Sequence, residues 1–191
     1  MTEYNEADFD TSPELDGYQY DLFRAELSGR VLEVGAGAGR ISKLVQSHPD
    51  VSELVVSEPS EHFFKFLRSR IAESKTVKVV QGESSSLSEQ FPQYFDRIYS
   101  VDVMEHIEND RAFLQDCLRM LKPGGKCIIL VPALQFLYSN FDKSIGHYRR
   151  YSKKMIREVA RDSGFEIERM SYNNLIGVLA SLYFIKFRKL D

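Results

Sequence analysis

The sequence predicts an α/β protein with a mostly parallel sheet and helices on both of its faces. Five short apolar runs are typical of buried strands, and they lie at 31–34, 54–57, 77–80, 95–101 and 126–131. Segments with helical spacing separate them, and a glycine-rich turn follows the first one. Strands that alternate with helices need crossover connections, and crossovers favour parallel pairing within one sheet.

The glycine turn follows the first strand and reads Glu33-Val34-Gly35-Ala36-Gly37-Ala38-Gly39-Arg40. Glycine tolerates positive φ and leaves no Cβ to block a ligand, and the helix after the turn offers free N–H groups at its start. A dinucleotide-binding turn has the pattern G-x-G-x-x-G, but Arg40 stands at its last position here. Glu33 would repel a pyrophosphate and attract a cationic ligand, so the turn favours a cation.

Acidic residues also mark the ends of later strands. Glu58 ends the second strand, 19 residues after Gly39, and Pro59 opens the following helix. A strand-end acid at about this distance binds the ribose diol in nucleotide-binding α/β folds. The alternative is an ordinary exposed glutamate. The third strand runs into Gln81-Gly82-Glu83-Ser84, a second polar strand end.

Residues 30–132 resemble the class I methyltransferases that use S-adenosylmethionine (SAM). The turn from Glu33 to Gly39, the segment Glu105-His106-Ile107 and the turn Leu121-Lys122-Pro123-Gly124-Gly125 are similar to successive motifs of that family. The resemblance implies a Rossmann-like methyltransferase fold, SAM as cofactor and S-adenosylhomocysteine as product. A nicotinamide dehydrogenase is an alternative, and Arg40 counts against it.

The resemblance also implies where the cofactor binds. In this family an acid at the position of Glu83 accepts a hydrogen bond from the adenine amine, although aspartate is more common there. The expected cofactor residues are Glu33, Gly35, Ala36, Gly37, Gly39, Glu58, Pro59, Gly82, Glu83, Ser84, Val101 and Asp102.

The segment 133–151 follows the fifth strand and is predicted to be the acceptor-side loop. It resembles the Asp-x-x-x-Gly-His-x-Arg-Arg-Tyr loop of one branch of type-11-like methyltransferases, whose substrates are diverse. An imidazole titrates near neutral pH and can take a proton from a hydroxyl, and arginines can clamp an anion. We expect His147, His106 and Asp142 to be catalytic, and Tyr138, Tyr148, Arg149 and Arg150 to bind the acceptor.

A structural interpretation of this loop stays open. In it, Asp142 pairs with an arginine and His147 caps a turn. A metal site at these two residues lacks a third ligand with convincing spacing, so no metal is expected.

The ends of the chain are less informative. Residues 1–16 are acidic and are expected either to be flexible or to order over a bound ligand, whereas 174–191 form an apolar segment that is predicted to be helical. This segment is interpreted as a cover over the acceptor, as a peripheral membrane contact through 175–189, or as a helix packed on the sheet. A sixth strand is predicted at 165–172. The seventh, antiparallel strand of the family has no counterpart, so either the chain is shortened or the sheet edge is built differently.

Composition favours one domain over residues 1–191, with 43% hydrophobic residues and a net charge of −3. That charge argues against a nucleic-acid partner, and two cysteines without a signal peptide favour the cytoplasm. We expect a SAM-dependent methyltransferase that acts on an oxygen atom of a small molecule. A lipid-linked or macromolecular acceptor, or a non-catalytic SAM-binding partner subunit, are the alternatives. The sequence determines neither the acceptor nor the oligomeric state.

Overall fold

The computed structural model describes residues 13–173. The strands are β1 (Gly29–Val34), β2 (Val51–Glu58), β3 (Val77–Gln81), β4 (Phe95–Val101) and β5 (Leu121–Leu130). The helices are α1 (Pro13–Asp21), α2 (Ser42–Val45), α3 (Glu61–Arg70), α4 (Ser84–Gln90), α5 (Asp110–Met120), α6 (Asn140–Ser144) and α7 (Lys153–Asp162). Short 3₁₀ helices lie at Arg24–Glu26, Met104–His106 and Gln135–Leu137.

The five strands form one sheet in the order β3-β2-β1-β4-β5. β1 pairs in parallel with β2 and with β4, and β2 pairs in parallel with β3. The register aligns Glu33 with Tyr99, Val34 with Ser57, and Glu58 with Gln81. The predicted parallel sheet is confirmed, and the carboxyl ends of β1, β2 and β3 therefore lie side by side.

The central strands are buried because their sequences are nearly continuous apolar runs. Val31, Leu32, Val55 and Val56 are fully buried, as is Ile98 on β4. Strands of parallel sheets are covered on both faces, which explains why these runs do not alternate with polar residues.

The chain divides into two compact units. Within the described residues, the first comprises 13–100 together with Arg119–Ile128, and it contains β1, β2, β3 and most of β4 and β5. The second comprises Val101–Leu118 and 129–173, and it contains the 3₁₀ helix Met104–His106, α6 and α7. Among the helices of residues 13–173, none combines the length and the apolar character needed to cross a bilayer.

The predicted sixth strand is wrong. Residues 165–173 adopt no regular secondary structure, and Ile167 on the expected inner face is 39% exposed. Alternation of apolar and polar residues describes a half-buried surface, but a strand also needs a neighbouring strand to pair with. Within residues 13–173 the sheet has no sixth strand.

Three element boundaries also differ from the sequence prediction. β5 begins at Leu121 and includes the Lys-Pro-Gly-Gly turn, which we expected to precede the strand. The spacing of Ile41, Leu44 and Val45 predicts a helix to about His48, but α2 ends at Val45. The spacing of Tyr18, Leu22, Phe23 and Leu27 predicts a helix at 18–27, and this segment is divided between α1 and a 3₁₀ helix. Residues 13–16, which were included in the segment expected to be flexible, form the start of α1. The predictions for residues 1–12 and 174–191 lie outside the described residues.

Candidate active site

Hydrogen bonds to the end of β2 hold the glycine turn in place. Gly35 N–H and Ala36 N–H both donate to the carbonyl oxygen of Ser57, at 3.0 and 2.9 Å. Gly35, Gly37 and Gly39 have φ values of +75°, +54° and +78°. The left-handed region is costly for residues with a side chain, so the turn needs glycine at these positions.

Two of these glycines face different surroundings. A Cβ on Gly39 would lie 2.8 Å from Leu67 Cδ1 and 3.2 Å from Ile71 Cγ1, so the absence of a side chain lets α3 approach the turn. A Cβ on Gly37 would meet no atom of residues 13–173 within 4 Å. Gly39 therefore serves packing, whereas Gly37 presents bare backbone to open space.

Glu33 is buried at the end of β1. Its Oε2 accepts hydrogen bonds from the Ser42 hydroxyl and from Tyr99 Oη, the latter at 2.7 Å. Burial raises the pKa of Glu33 to about 7, although these two hydrogen bonds oppose the rise. The sequence singled out the acid but not its two hydroxyl partners, which lie 9 and 66 positions from it along the chain.

Glu58 ends β2 and binds the backbone on both sides. Its Oε2 accepts from Gly37 N–H at 2.8 Å, and its Oε1 accepts from Ser60 N–H at 2.9 Å. Burial raises the pKa of Glu58, and the two backbone hydrogen bonds oppose this rise. Each carboxylate oxygen has a second lone pair, so Glu58 can hold the turn and still accept hydroxyl groups.

The end of β3 lies beside Glu58. Gly82 N–H donates to the Glu58 carbonyl oxygen at 3.3 Å, and Glu83 occupies the N-cap position of α4. The Glu83 side chain is exposed, while its carbonyl oxygen accepts from Ser86 Oγ and Leu87 N–H. The first unit thus brings Glu33, the glycine turn, Glu58, Pro59, Gly82, Glu83 and Ser84 to the ends of three adjacent strands.

The other two expected cofactor residues belong to the second unit. Val101 is the last residue of β4, and Asp102 has a φ of +54°, which is uncommon for a residue with a side chain. Asp102 N–H donates to the Leu130 carbonyl oxygen at 3.0 Å. Strained backbone of this kind is concentrated at functional sites.

Asp142 organises the predicted acceptor-side loop. Its Oδ2 accepts from Ser139 N–H at 2.9 Å, and its Oδ1 accepts from Arg150 Nε at 2.8 Å. The same Oδ1 lies 3.1 Å from His147 Nδ1. Burial raises the pKa of Asp142, but the hydrogen bonds from Arg150, Ser139 and His147 outweigh burial and hold it below its usual value. The carboxylate is therefore ionised and fixes the imidazole.

His147 presents its other ring nitrogen to a second acid. His147 Nε2 lies 3.9 Å from Oε1 of Glu105, a side chain with no exposed surface. Both carboxyl oxygens of Glu105 lack a hydrogen-bond partner among the described residues. Burial, followed by the negative charges of Asp102 and Asp142, raises the pKa of Glu105 to about 8. Glu105 was not among the site residues expected from the sequence, because nothing in the local pattern shows this burial.

His106 completes the group around His147. The two imidazole rings meet edge to face with their centroids 4.5 Å apart, and His106 is exposed. Burial of part of the ring and the charge of His147 lower the pKa of His106. The buried Glu105, the exposed His106 and His147 therefore form a polar cluster, which we call the Glu-His-His cluster.

The remaining residues expected to bind the acceptor have different surroundings. Arg149 donates to the carbonyl oxygens of Ile107 and Glu108 and to Asp110 Oδ2, at 2.9, 2.8 and 3.1 Å. Tyr138 Oη donates to the His147 carbonyl oxygen at 2.6 Å. Tyr148 is 52% exposed. Within the described part of the second unit, Tyr138 thus binds the backbone of the loop itself, and Arg149 joins the loop to the segment around Ile107. Tyr148 faces outward.

Comparison with known proteins gives consistent matches. The chain is 26% identical over 110 residues to a ubiquinone biosynthesis O-methyltransferase of Pseudomonas fluorescens, covering 54% of this chain and 44% of that protein. It is 24% identical over 168 residues to the Xanthomonas euvesicatoria protein of the same name, covering 80% and 70%. The chain thus spans less than half the length of the Pseudomonas relative.

The fold also matches solved structures. A SAM-dependent methyltransferase from Archaeoglobus fulgidus superposes with a TM-score of 0.68 at 17% identity, covering 97% of this chain and 90% of that one. The predicted Rossmann-like methyltransferase fold is confirmed. A family model described as a methyltransferase domain matches residues 32–129, just over half of the chain. The chain therefore belongs to the methyltransferase domain family, whose cofactor is S-adenosylmethionine.

Proposed function

We propose that the protein transfers the methyl group of SAM to an oxygen atom of a small molecule. The observation that carries the proposal is the Asp142–His147 pair, in which an ionised carboxylate holds one ring nitrogen and leaves the other as a proton acceptor. The name O-methyltransferase that the two relatives carry supports an oxygen acceptor.

The residues of the first unit fit the cofactor. Gly37 presents bare backbone to open space, and the buried carboxylate of Glu58 can accept hydroxyl groups. Bound SAM supplies a methyl group on a good leaving group, so the protein needs no covalent nucleophile and contributes mainly by positioning. We propose that Glu58 binds the ribose and that Glu33 attracts the positively charged part of the cofactor. The proposed contacts also include Gly35, Ala36, Gly39, Pro59, Gly82, Glu83, Ser84, Val101 and Asp102.

We propose that His147 is the base that accepts the proton of the acceptor hydroxyl. Asp142 accepts from Nδ1–H, so Nε2 carries the lone pair that removes a proton from the acceptor hydroxyl. Asp142 then stabilises the imidazolium, and Arg150 holds Asp142 in position through a 2.8 Å hydrogen bond. We propose that Tyr148, which is exposed, contacts the acceptor, and that Arg149 supports the loop.

The test is a comparison of SAM binding and turnover in variants of the full chain. We expect His147→Ala to lower the rate of S-adenosylhomocysteine formation by about 10²–10⁴-fold with an acceptor from a panel of phenols and hydroxy acids. SAM affinity, measured by calorimetry, should stay within about twofold, because the variant retains the residues of the first unit. His62→Ala, at an exposed histidine on α3, is the matched control.

A loss below about tenfold in His147→Ala would give His147 a structural role. SAM binding without turnover on any acceptor in the panel would contradict the enzyme assignment and favour a non-catalytic SAM-binding subunit. Turnover only with a lipid-linked or macromolecular acceptor would overturn the small-molecule assignment.

A further inference from the structure

We propose that the Glu-His-His cluster binds a divalent transition-metal ion, with Glu105, His106 and His147 as its protein ligands. The proposal concerns the acceptor-side loop but does not depend on methyl transfer, because metal binding is measured without SAM or an acceptor. The sequence offered only Asp142 and His147 as ligands, and folding brings Glu105 and His106 to His147 instead.

The distances suit a single ion. One ligand atom from each of the three side chains lies within 4.8 Å of the others, and His147 Nε2 is 3.9 Å from Glu105 Oε1. Metal–ligand bonds of about 2.0–2.2 Å bring such atoms to about 3–3.5 Å from one another. Side-chain rotation on metal binding would have to shorten the longest of these separations by up to about 1.8 Å.

Glu105 has no hydrogen-bonded partner to explain its burial. Its side chain has no exposed surface, and neither carboxyl oxygen has a hydrogen-bond partner among the described residues. Buried polar groups are almost always paired, so an unpaired carboxyl group indicates a missing partner. Asp102 and Asp142 add negative charge near it, which makes a cation the favoured partner.

The hydrogen bond between His147 and Asp142 prepares Nε2 as a ligand. Because Nδ1 donates to the ionised carboxylate of Asp142, the lone pair of Nε2 faces the Glu105 carboxyl group. Two lone pairs that face each other across 3.9 Å are stabilised by a cation between them. A carboxylate on the distal nitrogen is the usual orienting partner of a metal-binding histidine. Asp142 is in turn held by Arg150 and Ser139.

The ligand types indicate the class of metal. Two imidazoles and one carboxylate suit Zn²⁺, Fe²⁺, Mn²⁺ or Co²⁺ better than Mg²⁺ or Ca²⁺, which prefer oxygen ligands. Three protein ligands leave open positions, and the exposed His106 places the cluster within reach of solvent. An ion held by these residues would lower the pKa of a coordinated hydroxyl enough for water to take its proton, and His147 Nε2, then a metal ligand, would serve as the base only in the metal-free protein.

The experiment is calorimetric titration of the chelator-treated full chain with Zn²⁺, and absorption spectroscopy with Co²⁺. We expect one site per chain and Co²⁺ bands that report imidazole and carboxylate ligation. His106→Ala and Glu105→Gln should each weaken Zn²⁺ binding by at least about tenfold. His62→Ala should bind as the unmodified chain does, and Mg²⁺ should not compete.

Both variants are expected to fold, so a loss of Zn²⁺ binding in either one reports the loss of a ligand. His106 is exposed and Glu105→Gln removes a buried unpaired acid, so both variants should fold, which circular dichroism checks. Absence of stoichiometric Zn²⁺ binding, or binding that His106→Ala and Glu105→Gln leave unchanged, overturns the proposal. Metal binding without methyl transfer would reject the proposed function alone. Methyl transfer that is unaffected by chelation, together with absent Zn²⁺ binding, would reject this inference alone.

Discussion

Glu33 shows how burial controls the charge of a single residue. Its carboxyl group is 3% exposed and receives hydrogen bonds from two hydroxyls, yet burial dominates and raises its pKa from 4.5 to about 7. The folded state therefore binds the proton more tightly than the unfolded state does. Between pH 4.5 and about 7 the unfolded chain ionises first, so this group's contribution to stability falls as pH rises and is constant above that range.

We expect Glu33→Gln to remove this pH dependence. The amide oxygen can still accept from Ser42 and Tyr99, but it does not ionise. The unfolding free energy of the variant minus that of the unmodified chain should therefore increase by on the order of 3 kcal/mol as the pH rises from 4.5 to 8. Urea unfolding without SAM at several pH values measures the difference, with the exposed Glu89→Gln as control. A constant difference across this range would show that folding does not raise the pKa of Glu33.

At the scale of the element, the glycine turn needs glycine for two reasons, close packing at one position and open space at another, and the sequence pattern does not show which position serves which. Gly39 allows close contact with Leu67 and Ile71, whereas Gly37 faces open space. Both have positive φ, so both resist substitution through the backbone. Only the environment shows which of them can affect a ligand without affecting packing.

We expect Gly37→Val to abolish SAM binding while the protein still folds, because the branched side chain would fill the open space over the turn. Gly124→Val is the matched control, since Gly124 lies in β5, also has positive φ, and a Cβ added there would meet no atom within 4 Å. Left-handed strain costs roughly 1–2 kcal/mol per residue, so both variants should lose stability to a similar extent. Calorimetry should show normal SAM binding only in Gly124→Val. If Gly37→Val binds SAM normally, the turn is not the cofactor loop.

The acceptor-side loop is the second element with a clear internal organisation. Asp142 connects Ser139, His147 and Arg150, and the Tyr151 hydroxyl lies 3.2 Å from Asp110 Oδ2. The structural pairing of Asp142 with an arginine, which the sequence left open, is present. It does not compete with a functional role, because the same pairing fixes the imidazole of His147.

At the scale of the whole molecule, the cofactor should stabilise the folded chain. A ligand at 100 times its dissociation constant that binds only the folded state adds about 2.7 kcal/mol, which corresponds to roughly 5–10 °C in melting temperature for a chain of this size. We expect SAM to produce such a shift and Glu58→Ala to reduce it to about a third or less at the same SAM concentration. Loss of two charge-assisted hydrogen bonds to the ribose should cost on the order of 2–3 kcal/mol of binding free energy.

Glu58→Gln separates binding from support of the turn. Its single carbonyl oxygen can replace only one of the two acceptors now used by Gly37 N–H and Ser60 N–H. We therefore expect an intermediate SAM affinity in this variant. An unchanged shift in Glu58→Ala would remove Glu58 from the cofactor site.

The sequence alone determined the features that depend on neighbours along the chain. Apolar runs separated by helical segments predicted that β1 to β4 pair in parallel within one sheet. The alternating glycines predicted a turn with positive φ, which is a local steric property. Glu33 and Glu58 were identified by their positions at strand ends, because the carboxyl ends of parallel strands meet at one edge.

Only the tertiary structure decided the features that depend on distant partners. Alternation at 165–172 could not show that no strand pairs with it, and the pattern around Glu105 could not show that its carboxyl group is buried unpaired. The contact of Glu105 and His106 with His147 joins residues about 40 positions apart. Burial and charge at such a site are sums over many distant atoms, so the surroundings of His147 and the pKa of Glu105 follow from the folded arrangement and not from local sequence.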